Sequence, residues 1–77
     1  MHTFHREYET DQILELIRQH IHNKVDRRLL ALRLVDGETF ESIAGIMLAE
    51  DNISMDVKTI RKHIHKGEEI LFKYIPG

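Results

Sequence analysis

The chain has 77 residues, a length at which one compact domain buries only about 60% of the surface that its unfolded chain exposes. With 42% hydrophobic residues, 31% charged residues and one proline, it is too apolar to be classed as disordered. It has no cysteine, which excludes disulfides, thiolate zinc sites and a cysteine nucleophile. Since no apolar run approaches the roughly 20 residues of a membrane span and no signal-peptide pattern opens the chain, we expect a cytoplasmic protein that does not associate with membranes.

The charge is unevenly distributed along the chain. The formal net charge of -2 taken alone disfavours nucleic-acid binding, because domains that bind nucleic acid usually carry a basic balance. Residues 26–53, however, hold three arginines against six acids, whereas residues 54–66 hold four basic residues against Asp56 alone. Positive charge is therefore concentrated in one segment.

The first helix is predicted from about Asp11 to His22. Its apolar residues recur at helical spacing and predict one buried stripe, formed by Ile13, Leu14, Ile17 and Ile21. The preceding residues have no sustained period. We therefore expect residues 1–9 to form a loose arm and residues 10–77 to form a single domain.

Two further helices follow. Asp26 is the predicted N-cap of the second helix, whose residues from Leu29 to Val35 are apolar almost all round, as expected for a central element. Gly37 is predicted to end the second helix by adopting the left-handed backbone conformation. Thr39 is the predicted N-cap of the third helix. The apolar stripe of that helix is Phe40, Ile43, Ala44, Met47 and Leu48.

A short turn then leads to the fourth helix, which is predicted to begin at an N-cap formed by Ser54 or Asp56 and to end near Tyr74. Its predicted buried residues are Val57, Ile60, Ile64, Leu71 and Tyr74. The fold class that follows is all-α, a compact four-helix domain in which the third and fourth helices form a helix-turn-helix.

The fourth helix has the composition of a helix that reads a DNA groove. Such a helix presents long hydrogen-bond donors outward while its inner face is anchored. With its apolar stripe turned inward, the outward residues are Lys58, Thr59, Arg61, Lys62 and His65. Lys66 lies nearer the phosphates, and Ser54 with the free amides of the first turn forms a further candidate phosphate site. The alternative is a solvated basic face on an ordinary bundle helix.

Two stretches resemble a known family. Residues 28–37 read RLLALRLVDG and residues 39–44 read TFESIA, while TIR at residues 59–61 precedes Ile64, Lys66-Gly67 and Leu71. This pattern resembles the fourth domain of bacterial sigma factors and the small sigma-like regulators built on it. The resemblance, over about residues 26–72, implies a sequence-specific helix-turn-helix regulator of bacterial transcription that binds double-stranded DNA. It leaves open whether RNA polymerase is a partner.

The chain departs from the family in the spacing between these motifs. About six residues more than usual separate them, with Met47 to Asn52 in the extra region. We interpret them as a third helix elongated by more than one turn, which changes the angle at which the fourth helix is presented. Gly45 lies inside the third helix and does not replace the family's small turn residue. Nothing upstream in the sequence resembles the domain that binds the other promoter element, so we do not expect a complete sigma factor.

The sequence gives little reason to expect a metal, another cofactor or catalysis. Six histidines are present, but His20 and His22, like His63 and His65, are two apart, so each pair diverges around its helix. The sequence contains serines but no glycine-rich loop that would bind phosphate beside them. A chain this short also has little room for a substrate cleft. We therefore expect that the protein is not an enzyme.

The competing hypothesis is a helical protein-interaction or dimerisation module without DNA binding. The end of the chain holds more apolar residues than one buried stripe needs, and such excess marks contact surfaces. Phe72 and Ile75 lie off the stripe and are the predicted homodimer contact. The two roles are compatible, because helix-turn-helix proteins commonly bind DNA as dimers.

Overall fold

The computed structural model of the protein describes residues 10–74. Within this range there are four helices and no strand; the helices are α1 (Thr10–His20), α2 (Lys24–Leu34), α3 (Phe40–Asp51) and α4 (Val57–Phe72). The all-α class is therefore confirmed, and α3, the turn of residues 52–56 and α4 form the predicted helix-turn-helix. The predicted arm of residues 1–9 and the predicted contact residue Ile75 lie outside the described residues.

The first helix ends two residues before the predicted position, and a side chain from α2 contacts its C-terminal end. The Arg27 guanidinium donates to the backbone carbonyl of Arg18 at 2.8 Å and to that of Ile21, which satisfies carbonyls that a helix end leaves open. Ile13, Ile17 and Ile21 are buried as predicted. Leu14 is 41% exposed, so its assignment to the core was wrong. It follows Ile13 by one residue, about 100° around the helix, and falls off the buried stripe.

The second helix begins three residues before the predicted position. Asn23, not Asp26, is the N-cap, since its side-chain oxygen accepts a hydrogen bond from the Asp26 amide at 3.1 Å. Asp26 therefore lies in the first turn, where a carboxylate suits the positive end of the helix dipole. The four leucines of α2 are buried, which confirms it as the central element. Beyond the helix, Gly37 adopts the expected left-handed conformation, with φ 70°.

The third helix begins as predicted and continues through most of the extra residues. The Thr39 side chain accepts from the Ser42 amide at 3.1 Å, and the helix ends at Asp51, with left-handed Asn52 (φ 55°) as C-cap. Met47 is fully buried, whereas Leu48 is 56% exposed, so the prediction of a buried Leu48 was wrong. Leu48 projects about 140° away from the buried Ile43.

The last turn of α3 is held against α2 by salt bridges from one arginine to two carboxylates. Arg28 contacts Glu50 at 2.6 Å and Asp51 at 3.2 Å. Asp51 and Arg28 are partly shielded from solvent, which reduces screening of the pair. These contacts hold the elongated end of α3, and with it the turn that leads into α4.

The fourth helix starts at the predicted cap and packs on all the others. The Asp56 carboxylate accepts from the Thr59 amide at 2.7 Å. Ile60, Ile64 and Leu71 are fully buried in a core to which all four helices contribute. Tyr74 is 52% exposed, contrary to the prediction. It follows the end of α4, where its ring stacks on the His20 ring with centroids 3.6 Å apart.

Candidate nucleic-acid interface

The outward face of α4 is basic, and the opposite face of the helix is packed in the core. All seven predicted site residues are exposed: Ser54, Lys58, Thr59, Arg61, Lys62, His65 and Lys66. Because successive helical residues are about 100° apart, Lys58 and Lys62 project almost opposite to the buried Ile60. The structure thus brings the two lysines together at the centre of one exposed face.

The two edges of this face differ. Thr59 and Lys66 lie along one edge, while Arg61 and His65 lie along the other, beside the beginning of α3. There the Arg61 guanidinium carbon is 5.7 Å from the centroid of the Phe40 ring, and the His65 ring meets the same ring edge-on at 6.4 Å. Arg61 therefore lies at the margin of the outward arc, beside α3, and not at its centre.

The beginning of α4 is less open to an anion than the sequence suggested. The hydrogen bond from the Thr59 amide is the main reason why the pKa of Asp56 is lowered, and the charge of Lys58 lowers it further. The Thr59 amide is thereby occupied, and the ionised carboxylate repels a phosphate. A phosphate at this end would have to be held by Ser54 and the remaining first-turn amides.

The sign of the charge changes between α4 and the rest of the described chain. Residues 57–74 carry five basic and two acidic residues, whereas residues 10–56 carry five basic and nine acidic ones. Glu68 is buried, but Glu69 is exposed and lies one turn beyond His65. The positive surface is therefore concentrated in the first three turns of α4.

His63 is used in a contact between helices. Its Nδ1 atom lies 2.9 Å from the Asp26 carboxylate on α2, and its side chain is 45% exposed. The two residues are among those that line a cleft of about 280 Å³. Among residues 10–74, no three histidine, aspartate or glutamate side chains are grouped so that they would hold a metal ion.

Sequence reasoning missed one residue beside this face. The Arg33 guanidinium carbon of α2 lies 4.4 Å from the Phe40 ring centroid, so two arginines and His65 surround one aromatic ring. Arg33 and Arg61 are 28 residues apart in the sequence. No local pattern joins them, and Phe40 was interpreted only as a core residue.

Comparison of the chain with protein-family models, curated proteins and solved structures finds no significant match. The resemblance to sigma factors therefore depends on the motifs quoted above and stays a prediction. None of the helices within the described range combines the length and the apolar character needed to cross a membrane.

Proposed function

We propose that the protein binds duplex DNA sequence-specifically through α4 and regulates transcription as a sigma-like helix-turn-helix protein of the bacterial cytoplasm. The observation that supports this most is the arrangement of α4 itself. Ile60 and Ile64 are fully buried, while the opposite side presents Lys58 and Lys62 to solvent. A major groove about 12 Å wide accepts one such helix, about 10–12 Å across with its side chains.

The proposal assigns different roles to the centre and the edge of the face. Lys58, at the centre and near the start of α4, is placed to reach base edges, because the N-terminal part of a recognition helix contacts the bases. Lys66, at the edge and two turns further on, is assigned to a phosphate. Contacts to bases carry sequence preference, whereas contacts to phosphate carry affinity.

The charge distribution favours one orientation on DNA. Because the acidic residues exceed the basic ones over residues 10–56, this part of the chain is on balance unfavourable toward a polyanion. The local field, not the net charge, would guide the approach. An overall charge of -2 is therefore compatible with binding through a single face.

Partners beyond DNA are a second part of the proposal. RNA polymerase is a candidate only through the sigma-like resemblance. A homodimer is favoured by Phe72, which is 47% exposed; its companion in the predicted contact, Ile75, is not among the described residues. A dimer would place two α4 helices on half-sites about one helical turn of DNA apart.

Selection from a randomised duplex pool tests the proposal, with affinity then measured against salt concentration. The intact protein should enrich a motif and lose affinity steeply as salt rises. Lys58→Ala should lose about 1–3 kcal/mol of discrimination between bases. Lys66→Ala should weaken all sequences alike and lower the salt slope by about one unit. Lys24 is an exposed lysine on α2, and Lys24→Ala is the matched control. It should change neither the discrimination between bases nor the salt slope.

The other candidate function is a protein-interaction module. It is favoured by four large apolar side chains that are 41–56% exposed: Leu14, Leu48, Phe72 and Tyr74. Association through such residues depends little on salt, because burial of apolar surface is not screened. No enriched motif, together with salt-insensitive association, would support this module and contradict the DNA-binding proposal.

A further inference from the structure

Three side chains from two helices converge on the Phe40 ring at the start of α3. Arg33 approaches it from α2, with its guanidinium carbon 4.4 Å from the centroid, and Arg61 approaches from α4 at 5.7 Å. The ring of His65 adds an edge contact at 6.4 Å. Arg33 is held in place by a second contact, because its Nη1 atom donates to the Glu38 backbone carbonyl at 2.9 Å.

The guanidiniums of Arg33 and Arg61 have the Phe40 ring as a common neighbour. Their distances to the shared ring limit their separation to about 10 Å, which is about one Debye length at 0.1 M ionic strength. Over residues 10–74, neither Arg33 nor Arg61 forms an ion pair. The nearby Glu38 carboxylate instead accepts from the Ser42 hydroxyl at 2.8 Å.

This arrangement concentrates positive charge that an aromatic ring offsets only in part. A cation over a ring gains about 0.5–1 kcal/mol at an exposed site, whereas a guanidinium has five donors in a fork that matches phosphate oxygens. Arg33 uses one donor on the Glu38 carbonyl, and among residues 10–74 the Arg61 guanidinium donates no hydrogen bond. Both cations therefore lie beside Phe40 with donors left for a ligand.

The position of the cluster fits a wall of the groove and not its floor. Arg61 and His65 form the α3 edge of the α4 face, and Arg33 extends that edge beyond the helix. A helix that lies in the major groove has a phosphate backbone on either side. Side chains at its flank therefore meet phosphates before they meet bases.

We propose that Arg33 and Arg61, aligned by Phe40, form a phosphate-binding site at the junction of α2, α3 and α4, and that it takes a backbone phosphate of duplex DNA. Identifying DNA as the source of the phosphate rests on the proposed function. The site gives Arg61 a role in affinity instead of base reading.

The test has two arms that use the same full-length variants. In the first, inorganic phosphate is titrated into the ¹⁵N-labelled protein while the arginine Nε–Hε resonances are followed by NMR. The signals of Arg33 and Arg61 should shift together and saturate. Those of Arg18, which is exposed on α1 and pairs with Glu15, should not.

In the second arm, the salt dependence of duplex binding is compared among R33Q, R61Q and the control R18Q, which removes the same charge elsewhere. R33Q and R61Q should each lower the salt slope by about one unit without changing the ranking of duplexes. Arg61 is exposed, so R61Q remains informative even where R33Q loses stability.

The outcomes separate the two proposals. Signals of Arg33 and Arg61 that drift like that of Arg18, or variants whose salt slope equals that of R18Q, would overturn the phosphate site even if the protein selects a DNA motif. Saturable phosphate binding at both arginines without any duplex binding would support the site and identify a free phosphate ligand. That result would refute the proposed function and DNA as the source.

Discussion

Gly67 of α4 is the position where a single added methyl group tests the packing of the domain. A Cβ atom there would lie 2.6 Å from Cδ1 of Leu30 and 3.0 Å from its Cδ2. Leu30 is fully buried on α2, so its side chain has little room to move away. Gly67→Ala therefore forces the two central helices apart or Leu30 into another rotamer.

Two opposing effects set the size of the change. Alanine is favoured over glycine inside a helix by about 0.8–1.0 kcal/mol, whereas an extra methyl group in a packed core costs about 1–3 kcal/mol. Gly45 in α3 provides the control, because a Cβ there meets nothing within 4 Å. We expect Gly45→Ala to raise the free energy of unfolding by about 1 kcal/mol. We expect the free energy of unfolding of the Gly67→Ala variant to be lower than that of the Gly45→Ala variant by about 1–3 kcal/mol.

Thermal unfolding followed by circular dichroism measures this difference. For a domain of this size, 1 kcal/mol shifts the melting temperature by about 4–8 °C, so the two variants should be separated by at least about 4 °C. Leu30→Val in the Gly67→Ala background shortens the obstructing side chain, and the two changes together should cost less than their sum. A Gly67→Ala protein as stable as Gly45→Ala would refute the close approach of α2 and α4.

Further predictions concern the turn, the α4 cap and the C-terminal end. Amide hydrogen exchange should be slow through Met47 and fast at residues 54–56, since the Ile53 amide still bonds to the Met47 carbonyl at 3.0 Å; uniformly fast exchange from Met47 onward would contradict the elongated helix. Because the pKa of Asp56 is lowered by the Thr59 amide, the charge contributes stability above the unfolded pKa of 3.8, and this contribution is lost as pH falls through the folded pKa. Asp56→Asn should therefore lose less stability on acidification, and an unchanged acid profile would count against the cap. If Phe72 forms a dimer contact, Phe72→Glu should sediment as a folded monomer, whereas unfolding would place Phe72 in the core.

The caps of α3 and α4 were predictable because they are local. Thr39 and Asp56 each bond to an amide three residues ahead, so residue type and the following apolar period were sufficient. The start of α2 was predicted wrongly although its cap is equally local. Asn23 and Asp26 are both residue types that cap helices; the prediction took Asp26, whereas in the structure Asn23 accepts the hydrogen bond.

The contacts that shape the candidate interface could not be read from the sequence. Arg28 reaches Asp51 across 23 residues, and Arg33 shares a ring with Arg61. Such pairs depend on how the helices cross, which periodicity does not specify. The spacing of apolar residues also predicts burial better in the middle of an apolar stripe than at its edges. This is why the exposure of Leu48 was not predicted.

Amide chemical-shift mapping shows directly whether α4 is the surface that contacts DNA. The selected duplex is added to the ¹⁵N-labelled protein at low salt, and the perturbed residues are placed on the structure. We expect the largest changes within residues 54–66 and at Phe40, and we expect them to reverse as salt is raised. Changes centred on Leu14, Leu48 and Phe72, or no changes with any duplex, would contradict this expectation.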